Sequence, residues 1–166
     1  MKNCTERSLR LEEAARARLT RGSVTVEMAI VAPVLILLLF GIIEVGLIFK
    51  DAVSLNSACR EGVRAAALGS GTTEVTNRVR AAATGLTGIS VTVSTYYRTY
   101  SSGTWSSWTL LAAGGATPNA APTGAQMRVT LGYPHRLIAG GFFPGMMTDP
   151  QNRTLTIHAN LVMRRE

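Results

Sequence analysis

The chain has 166 residues and a formal net charge of +7 at pH 7. Six of the 17 basic and three of the 10 acidic side chains lie in residues 1–22, so the remainder carries only +4. Because no basic stripe interleaved with aromatic residues occurs, this charge does not indicate a nucleic-acid-binding protein. The residues that follow this segment are numerous enough for one membrane span and one compact domain.

The first predicted element is a long apolar helix that begins after a short basic leader. The leader, residues 1–22, ends in Gly22, and the next charged residue is Glu27. In residues 28–49 the only charged side chain is Glu44. As a helix this stretch would span roughly 33 Å, close to the ~30 Å hydrocarbon core of a bilayer. The basic leader then predicts a cytoplasmic N-terminus and an exported remainder.

Two other kinds of N-terminal segment compete with this interpretation. A secretory signal peptide needs an apolar region of about 7–15 residues and a cleavage site of small residues. The apolar run here is longer, and Lys50-Asp51 follows it without such a site, so a signal peptide is not favoured. An uncleaved membrane anchor is compatible with the hydropathy pattern and stays open.

The helix is predicted to continue beyond the membrane as an amphipathic segment. Mostly small apolar residues recur at spacings of three and four on one face, which we expect to pack on a sheet. These positions are Ala52, Leu55, Cys59, Val63 and Ala66. The glycine at Gly69 favours the end of the helix there. Because Cys59 lies on the apolar face, packing as a small hydrophobic residue is favoured over the alternative, an intermolecular disulfide.

A second helix and three strands are predicted in the exported part. Residues 73–84 have a helical apolar period, with Glu74 in the first turn and Gly85 at the end. Three segments alternate apolar and polar residues, which favours an antiparallel sheet with one packed face. These segments are residues 89–94, 125–133 and 155–161. The predicted fold class is therefore α+β, a long N-terminal helix packed on a small antiparallel sheet.

The remaining segments are a predicted hairpin and two loops. Residues 95–108, rich in tyrosine and tryptophan, indicate a hairpin that turns near residues 101–103. Residues 112–124 consist largely of alanine, glycine, proline and threonine and indicate a flexible connection. Residues 134–152 form an apolar loop, for which a cover of the core edge and a partner-binding interface both stay open. The candidate interface residues are Phe142, Phe143, Met146 and Met147.

No arrangement of side chains predicts an enzyme. The two histidines, His135 and His158, do not belong to a zinc-binding H-E-x-x-H motif. Neither a nucleophile elbow nor a P-loop occurs in the sequence. Outside the leader Cys59 is the only cysteine, so there is no cysteine-based zinc spacing. We therefore expect no catalytic residues, no cofactor and no metal site, with His158 solvated on the polar face of the last strand.

Three blocks of the sequence resemble a known protein family. Arg21-Gly22 with Glu27 five residues on resembles a prepilin-peptidase site of the type IV pilin class. Residues 21–67, with VEMAIVAPVLILLLFGIIEVG and ACREGVRAAA, closely resemble the TadE-like pseudopilins of tight-adherence (Flp) pilus systems. Residues 155–166 are similar to the way such proteins end. Met28 stands where family members often carry an aromatic residue.

The resemblance implies a domain organisation and a function. It implies a leader over residues 1–22, cut by a prepilin peptidase between Gly22 and Ser23. It further implies a helix over residues 23–49 for the inner membrane and the filament core, and an extracytoplasmic pilin-like domain over residues 50–166. The protein would be a single-pass minor pilin that works with other pilins and the pilus assembly machinery in surface adhesion.

The resemblance also implies assembly roles for Glu27, Pro33 and Glu44. At the mouth of the span, the Glu27 carboxylate is expected to pair with the Ser23 ammonium of an adjacent subunit, in surroundings of low dielectric. The alternative, an interfacial acid that reaches headgroup water, stays open. Glu44 lies nearer the outer interface, where the sequence predicts a solvated side chain, although the resemblance makes a helix-packing role an alternative. A second function class stays open: an uncleaved single-span anchor that presents an extracytoplasmic binding domain.

Overall fold

The structure of the protein is a computed structural model, in which residues 2–86, 91–112, 119–138 and 144–166 are described. Side chains are described from Val24 onward within these ranges, except for that of Pro144. By its internal contacts the chain divides into two compact units, Met1–Ile43 and Glu44–Glu166. The predicted organisation into a leader, a membrane helix over residues 23–49 and an exported domain over residues 50–166 stays a prediction.

Helix α1, Lys2–Ala67, is continuous and includes the leader. The leader is rich in alanine, leucine, arginine and glutamate, which have high helix propensities. At the other end, the Ser70 N–H donates to the Ala65 carbonyl and the Gly69 N–H to the Ala66 carbonyl, both at 3.1 Å. Gly69 has a φ of 91°, the left-handed conformation that this type of helix end requires. The predicted end of the helix at Gly69 is confirmed.

In the described residues of the C-terminal unit, one helix, six strands and a short 3-10 helix follow the end of α1. They are α2 (Thr72–Ala82), β1 (Thr92–Arg98), β2 (Tyr100–Ser101), β3 (Thr104–Trp105), β4 (Thr109–Leu110), β5 (Gln126–Arg136), the 3-10 helix Pro144–Met146 and β6 (Thr154–Arg164). The main sheet has the order β4-β1-β5-β6, and all of its pairings are antiparallel. Strands β2 and β3 pair separately. The predicted α+β fold class is confirmed.

The core lies between the outer part of α1 and one face of the main sheet. Leu55 and Cys59 of α1 are completely buried, as are Met127 and Val129 of β5. At Gly62 a Cβ atom would lie only 2.5 Å from a methyl carbon of α2, so the two helices approach closely where α1 lacks a side chain. The small-residue stripe predicted on α1 is therefore the buried face of the helix.

The predicted aromatic hairpin is confirmed at its turn. Tyr100 pairs with Trp105 and Ser101 with Thr104, so that Ser102 and Gly103 connect β2 to β3. Both connecting residues have a positive φ, 52° and 82°. Positive φ at both central positions is the geometry that suits the right-handed twist of a two-residue hairpin.

The prediction that a loop begins at residue 134 is wrong, because β5 continues to Arg136. A proline has no backbone N–H to donate and is tolerated where a strand has a partner on one side only. Among the described residues, which omit 87–90, strand β1 pairs with β5 as far as Gly132, while β6 continues past Pro134. Strand β5 can therefore include Pro134 and carry His135 into the buried face of the sheet.

Candidate functional site

The first candidate site is the apolar surface of α1 over residues 24–43. Its large apolar side chains are exposed, with Ile42 at 72% and Ile30 at 68% of full exposure. By length and composition this helix could span a membrane, and its most apolar part is not buried by the rest of the described chain. A continuous exposed apolar surface of this kind marks a segment that contacts lipid or another protein.

The predicted processing and assembly residues lie on this part of α1. Gly22 and Ser23 are helical in backbone, and the side chain of Ser23 lies outside the described part of the chain. Glu27 is exposed, and so is Pro33, which lies within the sequence of the helix. Cleavage after Gly22 and the pairing of Glu27 with an adjacent subunit stay predictions.

The surroundings of Glu44 differ from the sequence-based expectation. The sequence predicts a solvated side chain, but only 4% of Glu44 is exposed, so this prediction is wrong. Each of its carboxylate oxygens lies 3.1 Å from the Ile138 backbone nitrogen, whose N–H they share as acceptors. The reason is the extension of β5, which brings this backbone N–H against α1, where the carboxylate replaces water as its acceptor. A role for Glu44 in assembly stays a prediction.

A buried polar cluster surrounds this contact and is the second candidate site. His135 Nδ1 lies 2.7 Å from Asp51 Oδ2, a hydrogen-bond distance, and His135 Nε2 lies 3.5 Å from Glu44 Oε1, a longer polar contact. Each of these three residues is 4–5% exposed. The exposed ammonium of Lys50 lies 3.2 Å from Asp51 Oδ1. We call Glu44, His135 and Asp51 the buried triad.

Secondary structure explains how the buried triad forms. Glu44 and Asp51 are seven residues apart on α1, about two helical turns, and therefore share a face. His135 occupies an inward-facing position of β5, alternating with Pro134 and Arg136 on the other face. Sequence reasoning missed the triad, although the spacing of the two acids was a signal, because the position of His135 depends on a strand that passes through a proline.

The triad is a polar link between α1 and β5. Two carboxylates face the two nitrogens of one imidazole, and an imidazolium has an N–H donor on each nitrogen. Burial, and to a smaller extent the negative charge of Asp51, raise the pKa of the neighbouring Tyr133 above its usual value. Within the described ranges, no group of histidine, cysteine, aspartate and glutamate side chains is arranged to hold a metal ion. The contacts of His135 with the two carboxylates join α1 to β5, which supports a structural role of the triad.

Cys59 lies in the core between α1 and the sheet. It is 0% exposed, and its thiol donates a hydrogen bond to the Val129 carbonyl at 3.4 Å. Burial raises the pKa of the Cys59 thiol to about 11. Because the thiolate is the reactive form of cysteine, this environment favours packing over an intermolecular disulfide.

The predicted interface loop is only partly described. Phe142 and Phe143 lie outside the described residues. Met146 is 43% exposed, and Met147 is partly buried. Leu137, at the start of this segment, is buried, whereas Ile138 is 66% exposed. The loop therefore has both buried and exposed apolar residues, and its role as an interface stays a prediction.

The described part of the chain combines an exposed apolar helix with a small α+β unit. The family model for TadE-like proteins matches residues 22–64, which include the apolar helix surface and much of the stripe on α1. The resemblance found in the sequence is thereby confirmed for this segment. It suggests involvement in Tad/Flp pilus systems and implies association with a membrane and the pilus machinery. No curated protein and no solved structure gave a match.

Proposed function

We propose that the protein is a minor pilin, or pseudopilin, that takes part in assembling a tight-adherence (Flp) type IV pilus for surface adhesion. The observation that carries this proposal is that two features lie in the same segment of α1. The segment matched by the TadE-like family, residues 22–64, begins at the proposed cleavage site and contains the exposed apolar surface. A helix of this kind has to be covered by lipid or by other subunits.

The proposed sequence of events uses one helix surface twice. A prepilin peptidase cuts between Gly22 and Ser23 while the helix lies in the inner membrane, with its N-terminus in the cytoplasm. The assembly machinery then transfers the helix to the pilus, where contacts with other pilins replace contacts with lipid. Exposed side chains such as Ile30 and Ile42 supply the apolar surface in both states.

Glu27 would determine how subunits align. In a packed filament its carboxylate is surrounded by apolar helices, where attraction to the Ser23 ammonium of an adjacent subunit is strengthened. The exposure of Glu27 in the single chain leaves the carboxylate accessible for this contact. Without a partner, a charge drawn into the apolar region would cost about 2.5 kcal/mol or more.

The proposal assigns no catalytic role and no cofactor to the protein. His135 is enclosed by Glu44 and Asp51, and His158 is exposed on β6. The C-terminal unit would act through its surface, by contacting other pilus components.

A recruitment experiment tests the proposal. Glu27→Gln removes the charge of Glu27 and preserves its shape, and Glu61→Gln makes the same change at an exposed position farther along α1. Both variants should be exported and folded. We expect Glu27→Gln alone to reduce co-purification with partner pilins. Unchanged co-purification of Glu27→Gln would exclude the pairing, and a protein that never enters pilus complexes would favour the uncleaved anchor.

A further inference from the structure

The outward face of the sheet contains a row of stacked arginine and aromatic side chains. Strand residues alternate between the two faces, and the buried Val129 side chain lies beside Gly62 of α1, so Arg128 and its paired neighbour Tyr96 face outward. Arg98 lies on the same face, opposite Gln126. The arginine–aromatic face consists of Tyr96, Arg98, Trp105, Trp108 and Arg128.

Each guanidinium in this face lies over two aromatic rings. Arg98 Cζ is 4.9 Å from the ring centre of Trp105 and 4.5 Å from that of Trp108. Arg128 Cζ is 4.3 Å from the ring centre of Trp108 and 4.7 Å from that of Tyr96. Stacking of this kind holds a guanidinium in place, so less freedom is lost when its donors bind an anion.

The positive charge of this face is not neutralised by the described part of the chain. Among the described residues, neither Arg98 nor Arg128 has a carboxylate oxygen within 4.0 Å. Arg98 Nε donates to the Gln126 amide oxygen at 2.8 Å, a neutral acceptor. Arg128 Nε is buried and has no hydrogen-bond partner in that part of the chain. Arg164 adds a third positive charge beside Gln126.

The stacking also limits what this face can bind. The rings of Trp105 and Trp108 are already in contact with guanidinium groups, which makes them poor platforms for a sugar ring. The donors at the guanidinium edges fit a carboxylate, which arginine binds through two parallel hydrogen bonds. Tryptophan, tyrosine and arginine are the residues most enriched at the energetic centres of protein–protein interfaces. Val162, paired with Arg128 on the same face and 46% exposed, adds apolar contact area.

We propose that the arginine–aromatic face is a docking surface for an acidic protein, with Arg98 and Arg128 binding carboxylates of that partner. The unneutralised positive charge and the stacked donors of this face support an acidic partner, whatever the role of α1. The partner is defined by its chemistry, a protein surface that presents aspartate or glutamate side chains at the spacing of the two guanidinium groups.

Binding of poly-L-glutamate to the full-length protein in lipid nanodiscs tests this proposal. Polygalacturonate and phosphatidylglycerol vesicles serve as the polysaccharide and membrane alternatives. We expect poly-L-glutamate to bind more tightly than either, and the double variant Arg98→Gln/Arg128→Gln to bind it at least tenfold more weakly. The control, Arg60→Gln/Arg64→Gln, removes the same charge from exposed positions on α1 and should change the affinity less than twofold.

A second variant separates specific docking from general attraction. Arg98→Lys/Arg128→Lys preserves the charge but loses the planar, stacked donors, and it should bind poly-L-glutamate at least threefold more weakly than the parent. Circular dichroism of each variant establishes that it is folded. The proposal would be overturned if the two glutamine double variants lost affinity equally, or if the lysine variant kept full affinity. It would also be overturned if the parent bound polygalacturonate or the vesicles more tightly than poly-L-glutamate, or did not bind poly-L-glutamate.

Discussion

Replacing His135 with alanine is expected to destabilise the C-terminal unit strongly. The change removes the 2.7 Å hydrogen bond to Asp51 and the 3.5 Å approach to Glu44, and it leaves two buried carboxylates facing a cavity. Removing one partner from a buried ionic group costs about 3–5 kcal/mol. Because the Lys50 ammonium still lies 3.2 Å from Asp51, we expect the lower end, about 3 kcal/mol.

Thermal unfolding of the full-length protein in detergent measures this effect through the fluorescence of Trp105 and Trp108. A loss of about 3 kcal/mol should lower the Tm by roughly 10–15 °C in a unit of this size. His158 supplies the matched control, because it is the other histidine and is exposed. His158→Ala should stay within about 0.5 kcal/mol of the parent. A His135→Ala protein as stable as His158→Ala would refute a stabilising role of the triad.

The remaining predictions concern processing and the core. Gly22→Leu should leave a precursor that retains the leader, visible as a heavier band on a denaturing gel; normal processing would count against the proposed cleavage site. Cys59→Asp should lower the free energy of unfolding by more than about 3 kcal/mol, because it buries an unpaired charge. The control, Ser57→Asp at an exposed position, should melt like the parent. Equal melting temperatures of the two variants would show that Cys59 is not in the core. Burial raises the pKa of Cys59 from 9.0 to about 11 and also that of Tyr133. As the pH rises, the unfolded state therefore loses these protons before the folded state does. The free energy of unfolding should fall by roughly 2–3 kcal/mol between pH 9 and 11 because of Cys59. Denaturant unfolding should show a smaller fall for Cys59→Ala than for the parent.

Features controlled by neighbouring residues could be predicted from the sequence. The end of α1 follows from Gly69, which alone accepts the left-handed conformation there without strain. The β2–β3 turn follows from the Ser102-Gly103 pair in a run of strand-forming residues. The alternation of apolar and polar residues in β5 and β6 indicated which side chains face the core, because successive side chains of a strand point to opposite faces of the sheet.

The two polar groupings could not be predicted, because each joins distant segments. The triad requires Glu44 and Asp51 of α1 to meet His135, which in turn requires β5 to continue through a proline. The arginine–aromatic face depends on the register that pairs Tyr96 with Arg128. Local periodicity specifies which face of a strand a residue occupies, but the residue beside it on the next strand is set by the packing of the whole sheet.

The N-terminus of the protein purified from its native membrane tests the central claim most directly. Intact-mass spectrometry combined with N-terminal peptide sequencing should find a chain that begins at Ser23 and lacks residues 1–22. That result would support a prepilin-type precursor whose helix passes from the membrane into a pilus. A chain that retains residues 1–22 in cells with an active prepilin peptidase would contradict the account and favour a permanent membrane anchor.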